Sequence, residues 1–188
     1  MPERLGRILA VGLWTLVLSA ALSFSSGALA GTVNIGFSIA VLIAIISAGI
    51  LFDIIGTAAT AASEAPINAM AANRVYGAPE ALAIVRNAPA VANFCNDFVG
   101  DICGTVSGAV GATIAISAAL APGTFAAKFA STAVIALISA ATVAGKAAGK
   151  GFAIESANSV MLAVGRTVAT FHRHFGGAAA CGKRLLRD

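Results

Sequence analysis

Charge is what this sequence has least of. Asp, Glu, Lys and Arg make up 11% of its 188 residues, against 59% hydrophobic residues. Soluble domains carry about 25% charged residues, so a chain this poor in them cannot cover a water-facing surface. Cysteine is scarce too: Cys95, Cys103 and Cys181 are an odd number without paired spacing, which argues against a disulfide framework or a zinc site. The two histidines, His172 and His174, sit in a basic stretch and read as the end of an interfacial helix rather than as metal ligands with Cys181. No nucleophile stands beside a base, no HExxH occurs, and no glycine-rich loop joins a strand to a helix. No enzyme and no resident cofactor are therefore expected. Alternating strand patterns are also missing, which argues against a β-barrel.

What the chain has is long apolar runs. Four are near the roughly 20 residues that one span needs: Ile8–Phe24, Val33–Ile55, Phe98–Leu120 and Phe125–Ala144. The expected fold class is all-α, a polytopic membrane protein with four transmembrane helices plus interfacial amphipathic helices. Of the 12 basic residues, only Lys128 falls on the side opposite the others, so the positive-inside rule puts both termini in the cytoplasm. The net charge of +4 then reflects orientation and contact with a lipid bilayer, and gives no reason to invoke nucleic acid. The first run has a competing reading as a signal peptide: Arg4 and Arg7 precede it, and Ala28-Leu29-Ala30 resembles a cleavage site.

The stretch from Asn93 to Gly111 organises the rest. Read as one helix, it carries a ridge of small residues, Gly100, Gly104 and Gly108, and a polar ridge, Asn93, Asp97 and Asp101, both at four-residue spacing. Glycines let helices approach closely in lipid. Carboxylates within a span are costly and need a partner or a wet cavity. Asp53, Thr57, Thr60 and Glu64 follow one another at steps of four, three and four at the end of the second run, and share a helical face. Asp53 is the notable one, set among Ile50, Leu51, Phe52, Ile54 and Ile55.

Between the second and third runs, Pro66, Gly77, Pro79 and Pro89 divide a moderately apolar stretch into short helices. These read as an interfacial pair over about 66–88, with Pro79 and Glu80 marking a helix start. Beyond the fourth run, Gly145 and Gly149 form a packing ridge flanked by Lys146 and Lys150. Lys150 snorkels, while Lys146 lies deeper, within reach of Asp101 or Asp97. An amphipathic helix over 152–175 follows, with Val160, Val164, Val168, Phe171 and Phe175 opposing Glu155, Arg166 and Arg173. The tail, 176–188, is basic and suits anionic headgroups.

This order of features resembles the membrane domain of the CNNM/CorC (CorB-like) family, linked to magnesium and cobalt transport. The correspondence covers residues 33–175, with 1–32 as an added N-terminal span and external turn. Phe52-Asp53 with Gly56 stands where the family has a Phe-Ser-x-x-Glu-like signature, and Asn87 and Pro89 stand near its Asn-Pro pair. Gly100-Asp101 and Thr105 replace its Gly-Asn and a later Asn. Gly145-Lys146-Ala147-Ala148-Gly149-Lys150 replaces its Gly-Glu-x-x-Pro-Lys. The resemblance implies divalent cation transport across a bacterial plasma membrane, with a homodimer as the assembly, but without the cytoplasmic CBS domains usual in the family.

Two functions are expected from these residues. In one, Asp53, Thr57, Asn93, Asp97, Asp101 and Thr105 line an ion pathway. Asp97 and Asp101 would then meet Mg²⁺, which keeps its waters and needs only one or two carboxylates. In the other, the protein transports nothing and serves assembly or an unidentified partner. An internal Asp101–Lys146 ion pair then stands where the family holds an ion, since those two positions differ from the family in opposite charge.

Overall fold

The computed structural model describes residues 12–13, 16–17, 20–21, 35–117 and 125–184, with side chains described over 35–115 and 129–174. Among the described residues every regular element is helical. In chain order these are α1 (Ile35–Ala61), α2 (Glu64–Ala72), α3 (Ala78–Arg86), α4 (Ala88–Ala92), a π-helical segment (Asn93–Val99), α5 (Gly100–Ser117), α6 (Phe125–Glu155) and α7 (Ala157–Arg184). Three stretches are long and apolar enough to cross a membrane: Ile35–Ala61, Ala88–Ala115 and Phe129–Glu155. At 1.5 Å per residue, α1 alone reaches about 40 Å, more than the roughly 30 Å of a hydrocarbon core. The expected first span, Ile8–Phe24, lies mostly outside the described residues, as do both external turns (23–27 and 121–123) and the last residues of the tail.

Several expected boundaries move. The second long stretch begins at Ala88 rather than at Phe98, because α4 and the π segment run directly into α5. The helix expected to end at Ala144 continues to Glu155, since Lys146 and Lys150 are as compatible with a helix as the alanines around them. The interfacial pair is two nine-residue helices, α2 and α3, and the amphipathic helix begins at Ala157, after a break at Ser156. Ser156 accepts the first hydrogen bond of α7 from the Val160 N–H at 2.9 Å, the backbone role of an N-cap residue. Glu64 does not continue the face of Asp53, Thr57 and Thr60, because α1 ends at Ala61 and Glu64 opens α2.

The chain forms two compact units. The first comprises Met1–Asp53 and Asn96–Gly149, the second Ile54–Cys95 and Lys150–Asp188. In the first unit the core is a ladder along α5, Ile102, Val106, Val110 and Ile114, meeting Leu42, Ile45 and Ile46 of α1 and Ile138 of α6. Large apolar side chains point outward as well, among them Phe37, Ile39, Ile43, Phe129, Ile135 and Leu137. That is how a bundle solvated by lipid tails looks, where bulky side chains face out at no cost. Hydroxyls are satisfied within their own helices: Ser107 donates to the Gly104 carbonyl at 2.9 Å, Thr113 to Ala109 at 3.0 Å and Thr142 to Ile138 at 2.8 Å.

The second unit packs around Ile67 and Met161, both fully buried, together with Ala58, Ala59, Ala81, Ala153 and Ala157. The face of α7 that is buried runs Ala157, Met161, Gly165, Ala169. The expected stripe Val160, Val164, Val168 flanks this row and is half-buried, and Phe171 is exposed. Small residues win the centre because α3 approaches α7 backbone to backbone. A Cβ added to Gly77 would lie 2.5 Å from the Arg166 nitrogen, and one added to Gly165 would lie 2.8 Å from the Ala81 nitrogen. Gly77 also has φ +82°, which side chains rarely adopt. Polar bonds close the edges: the Ser63 N–H donates to Asn158 Oδ1 at 3.0 Å, Tyr76 Oη and Thr170 Oγ1 share a bond at 3.1 Å, and Arg86 Nε meets Glu64 Oε1 at 2.7 Å.

The turn leaving α2 is a Schellman motif. The Val75 N–H bonds the Met70 carbonyl and the Arg74 N–H bonds the Ala71 carbonyl, each at 3.0 Å. Its left-handed position is occupied by Arg74 at φ 57°, the one non-glycine with positive φ among the described residues. Glycine is the usual residue there. An L side chain in that region costs roughly 1–2 kcal/mol.

Candidate functional site

The residues expected to handle ions divide between buried and outward positions. In the first unit, Asp53 is 3% exposed, near the middle of an apolar stretch of α1. Asp97, Asp101 and Thr105 are all exposed, on the π segment and α5. They form a polar line on the outside of a stretch long enough to span, opposite the buried ladder Ile102–Val106–Val110–Ile114. Thr105 donates its hydroxyl to the Asp101 carbonyl at 2.8 Å, so it stabilises its own helix and leaves oxygen lone pairs outward. Asp53 is thus not on the surface that carries Asp97 and Asp101. In the second unit, Thr57 is half-buried on α1 and Asn93 is exposed at the start of the π segment.

The spacing of this line is not that of one regular α-helix. Over Asn93–Val99 the backbone is π-helical, with i→i+5 hydrogen bonds and a wider turn. Asn93 and Asp97 are therefore less than a full turn apart, and the simple four-residue ridge drawn through Asn93, Asp97 and Asp101 does not hold along its first half. Single π turns inside α-helices occur often at functional sites. Asn96 lies within this turn, and its Oδ1 is buried with no hydrogen-bond partner.

Lys146 does not pair with Asp101. Its ammonium donates to the Gly100 carbonyl at 3.4 Å, one residue short of the carboxylate, and among the described residues the one printed-out ion pair geometry is Arg86–Glu64. The reason is directional: the side chain of Asp101 turns outward while Lys146, half-buried, approaches α5 from its packed side. Lys150 is exposed, in the second unit.

The glycines split in the same way. Gly100 and Gly149 are buried, and a Cβ on Gly145 would lie 2.5 Å from Ile50 Cδ1. A Cβ on Gly104 or Gly108 would meet nothing within 4 Å. The expected ridge Gly100–Gly104–Gly108 is therefore not a contact within the described chain beyond its first member. Two glycines that were not singled out do make contacts: Gly49 faces Cys103 Cβ at 3.0 Å and Gly111 faces Ile138 Cδ1 at 2.8 Å, both measured from an added Cβ. Their signal in the sequence was only a glycine within an apolar run.

Among the described residues no group of three or more His, Cys, Asp or Glu is placed to hold a metal ion. Asp97 and Asp101 by themselves supply two carboxylates from one helix, enough for a hydrated cation and too few for a dehydrated one. No family model, no curated protein and no solved structure matches this chain.

Proposed function

We propose that this is a four-span membrane protein, with both termini in the cytoplasm of a bacterial plasma membrane, that moves hydrated divalent cations along the line of Asp97, Asp101 and Thr105. One observation carries the reading: two carboxylates face outward from a helix otherwise fit to span lipid. Each costs about 2.5–3.5 kcal/mol against hydrocarbon on insertion scales. A second copy or a water-filled seam therefore covers that face in the working protein, and Gly104 and Gly108, open on the same helix, let a neighbour come close. The resemblance to the CNNM/CorC membrane domain supports a homodimer and Mg²⁺ as the cargo. In the same reading α2, α3 and α7 are interfacial helices on the cytoplasmic side.

The test is flux of Mg²⁺ into liposomes carrying the purified protein, with Asp97→Asn and Asp101→Asn beside the wild type. Loss of flux in Asp101→Asn with unchanged folding supports the pathway. Wild-type protein that moves no divalent cation sinks it. A second reading, a non-transporting assembly protein, draws on Lys146, which brings a cation to the carbonyl next to Asp101. It expects no flux, and a loss of oligomer when Gly108 is made Leu.

A further inference from the structure

We infer that a cavity in the second unit, at the turn between α2 and α3, binds a phosphate group of the kind carried by anionic lipid headgroups. The cavity is about 280 Å³ and is lined by Arg74, Tyr76, Glu80 and Ala169, with Val75 and Gly77 at its base. That volume suits a phosphodiester and its first waters but not an acyl chain.

Three observations converge on it. Arg74 holds the left-handed position of the Schellman turn, where glycine would fit without strain. The chain does use glycine three residues later, at Gly77, where the backbone of Arg166 leaves no room for a Cβ. Part of the cost of an arginine at 74 is offset by its place beside the negative end of α2, but any flexible side chain with glycine's backbone freedom would serve the turn better. Second, the stem of Arg166 lies against Gly77, its Cγ 2.7 Å from where a Cβ would be. A second guanidinium therefore flanks the same cavity. Both arginines are exposed, and neither enters an ion pair among the described residues. Guanidinium groups match phosphate oxygens in fork geometry. Third, Tyr76 is 50% exposed at the rim with its hydroxyl anchored on Thr170 at 3.1 Å, and Phe171 is exposed on the same helix as Arg166. Amphipathic rings of this kind sit at headgroup depth.

Glu80 lines the same cavity and opposes an anion. It belongs to the first turn of α3, where a carboxylate favours the helix. Two arginines against one glutamate leave the cavity positive, and removing the glutamate's charge should tighten binding.

The site rests on the membrane reading above, through the placement of α2, α3 and α7 at a headgroup surface. Its test does not use transport, so either can fail without the other. Detergent-solubilised full-length protein is titrated with short-chain phosphatidylglycerol, with short-chain phosphatidylcholine and with inorganic phosphate, following thermal unfolding and the change in Tyr76 fluorescence polarity through a Trp placed at 76. Phosphatidylglycerol should stabilise the protein well beyond phosphatidylcholine. Arg74→Gly, which suits the turn and keeps the fold, should weaken binding about tenfold, Arg74→Lys less, and Glu80→Gln should strengthen it. Stabilisation by inorganic phosphate equal to that by the lipid assigns the same site to a soluble phosphate. Equal shifts from the two lipids, or a full shift in Arg74→Gly, overturn the proposal.

Discussion

The two units use glycine in opposite ways. In the first, the space a Cβ would fill is taken by the ends of side chains: Cys103 beside Gly49, Ile138 beside Gly111, Ile50 beside Gly145. In the second it is taken by backbone, the Arg166 main chain beside Gly77 and that of Gly77 and Ala81 beside Gly165. An isoleucine tip can change rotamer, whereas a helix backbone cannot move without taking its neighbours along. The first unit is thus a tolerant bundle with bulky apolar groups on both its inside and its outside. The second is a close-fitted assembly whose α3 and α7 have one workable separation, and its polar edge bonds hold in place what the backbones have already fixed.

The sharpest way to break this contrast is a paired substitution. Gly165→Val should cost about 3 kcal/mol or more, because its methyl groups meet main-chain atoms, while Gly111→Ala should cost under about 1 kcal/mol as Ile138 yields. Thermal unfolding in one detergent measures both, and equal losses would erase the distinction. Next in size, Met161→Ala should destabilise by about 2–5 kcal/mol, the range for a fully buried side chain of that volume. Gly104→Ala and Gly108→Ala should leave the isolated chain unchanged or raise its stability by about 0.5–1 kcal/mol through helix propensity, and a lost oligomer in Gly108→Leu would show that this face is covered. Tyr76→Phe should cost about 0.5–1.5 kcal/mol, one neutral hydrogen bond. Smallest of all, Arg86→Ala should change stability by about 0–1 kcal/mol, since both side chains of that pair are half exposed, at 55% and 51%. A larger loss there would mean that charge, rather than close backbone fit, holds the second unit together.

Composition made the helical class and the long apolar helices legible, because those follow from mean hydropathy and need no partner. Glycines and prolines marked α2 and α3, and Ile67 was placed on the buried stripe where it is found. What could not be read was which of several small-residue rows makes contact. Gly100, Gly104 and Gly108 look as good in sequence as Ala157, Gly165 and Ala169, yet the second row meets a neighbouring backbone and most of the first does not. Packing rows are chosen by the facing element, and one helix's sequence does not contain its neighbour's contour. The direction of Lys146 was hidden for the same reason: opposite charges at 101 and 146 suggested a pair, but the faces that carry them point apart. The π segment had no signal that pattern reading would register, since Asn-Phe-Cys-Asn-Asp-Phe-Val fits a regular α-helix equally well.

That segment has a consequence for engineering. A π turn holds one surplus residue relative to the α-helix on either side, so it acts as a phase setting for everything after it. Deleting Asn96 would let the turn relax to an α-helix and rotate the following residues by about 100° about the helix axis. Asp101 and Thr105 would swing off their present bearing, and the Ile102–Val106–Val110–Ile114 ladder would leave its seam. A single codon thus sets the compass direction in which this helix presents its charge.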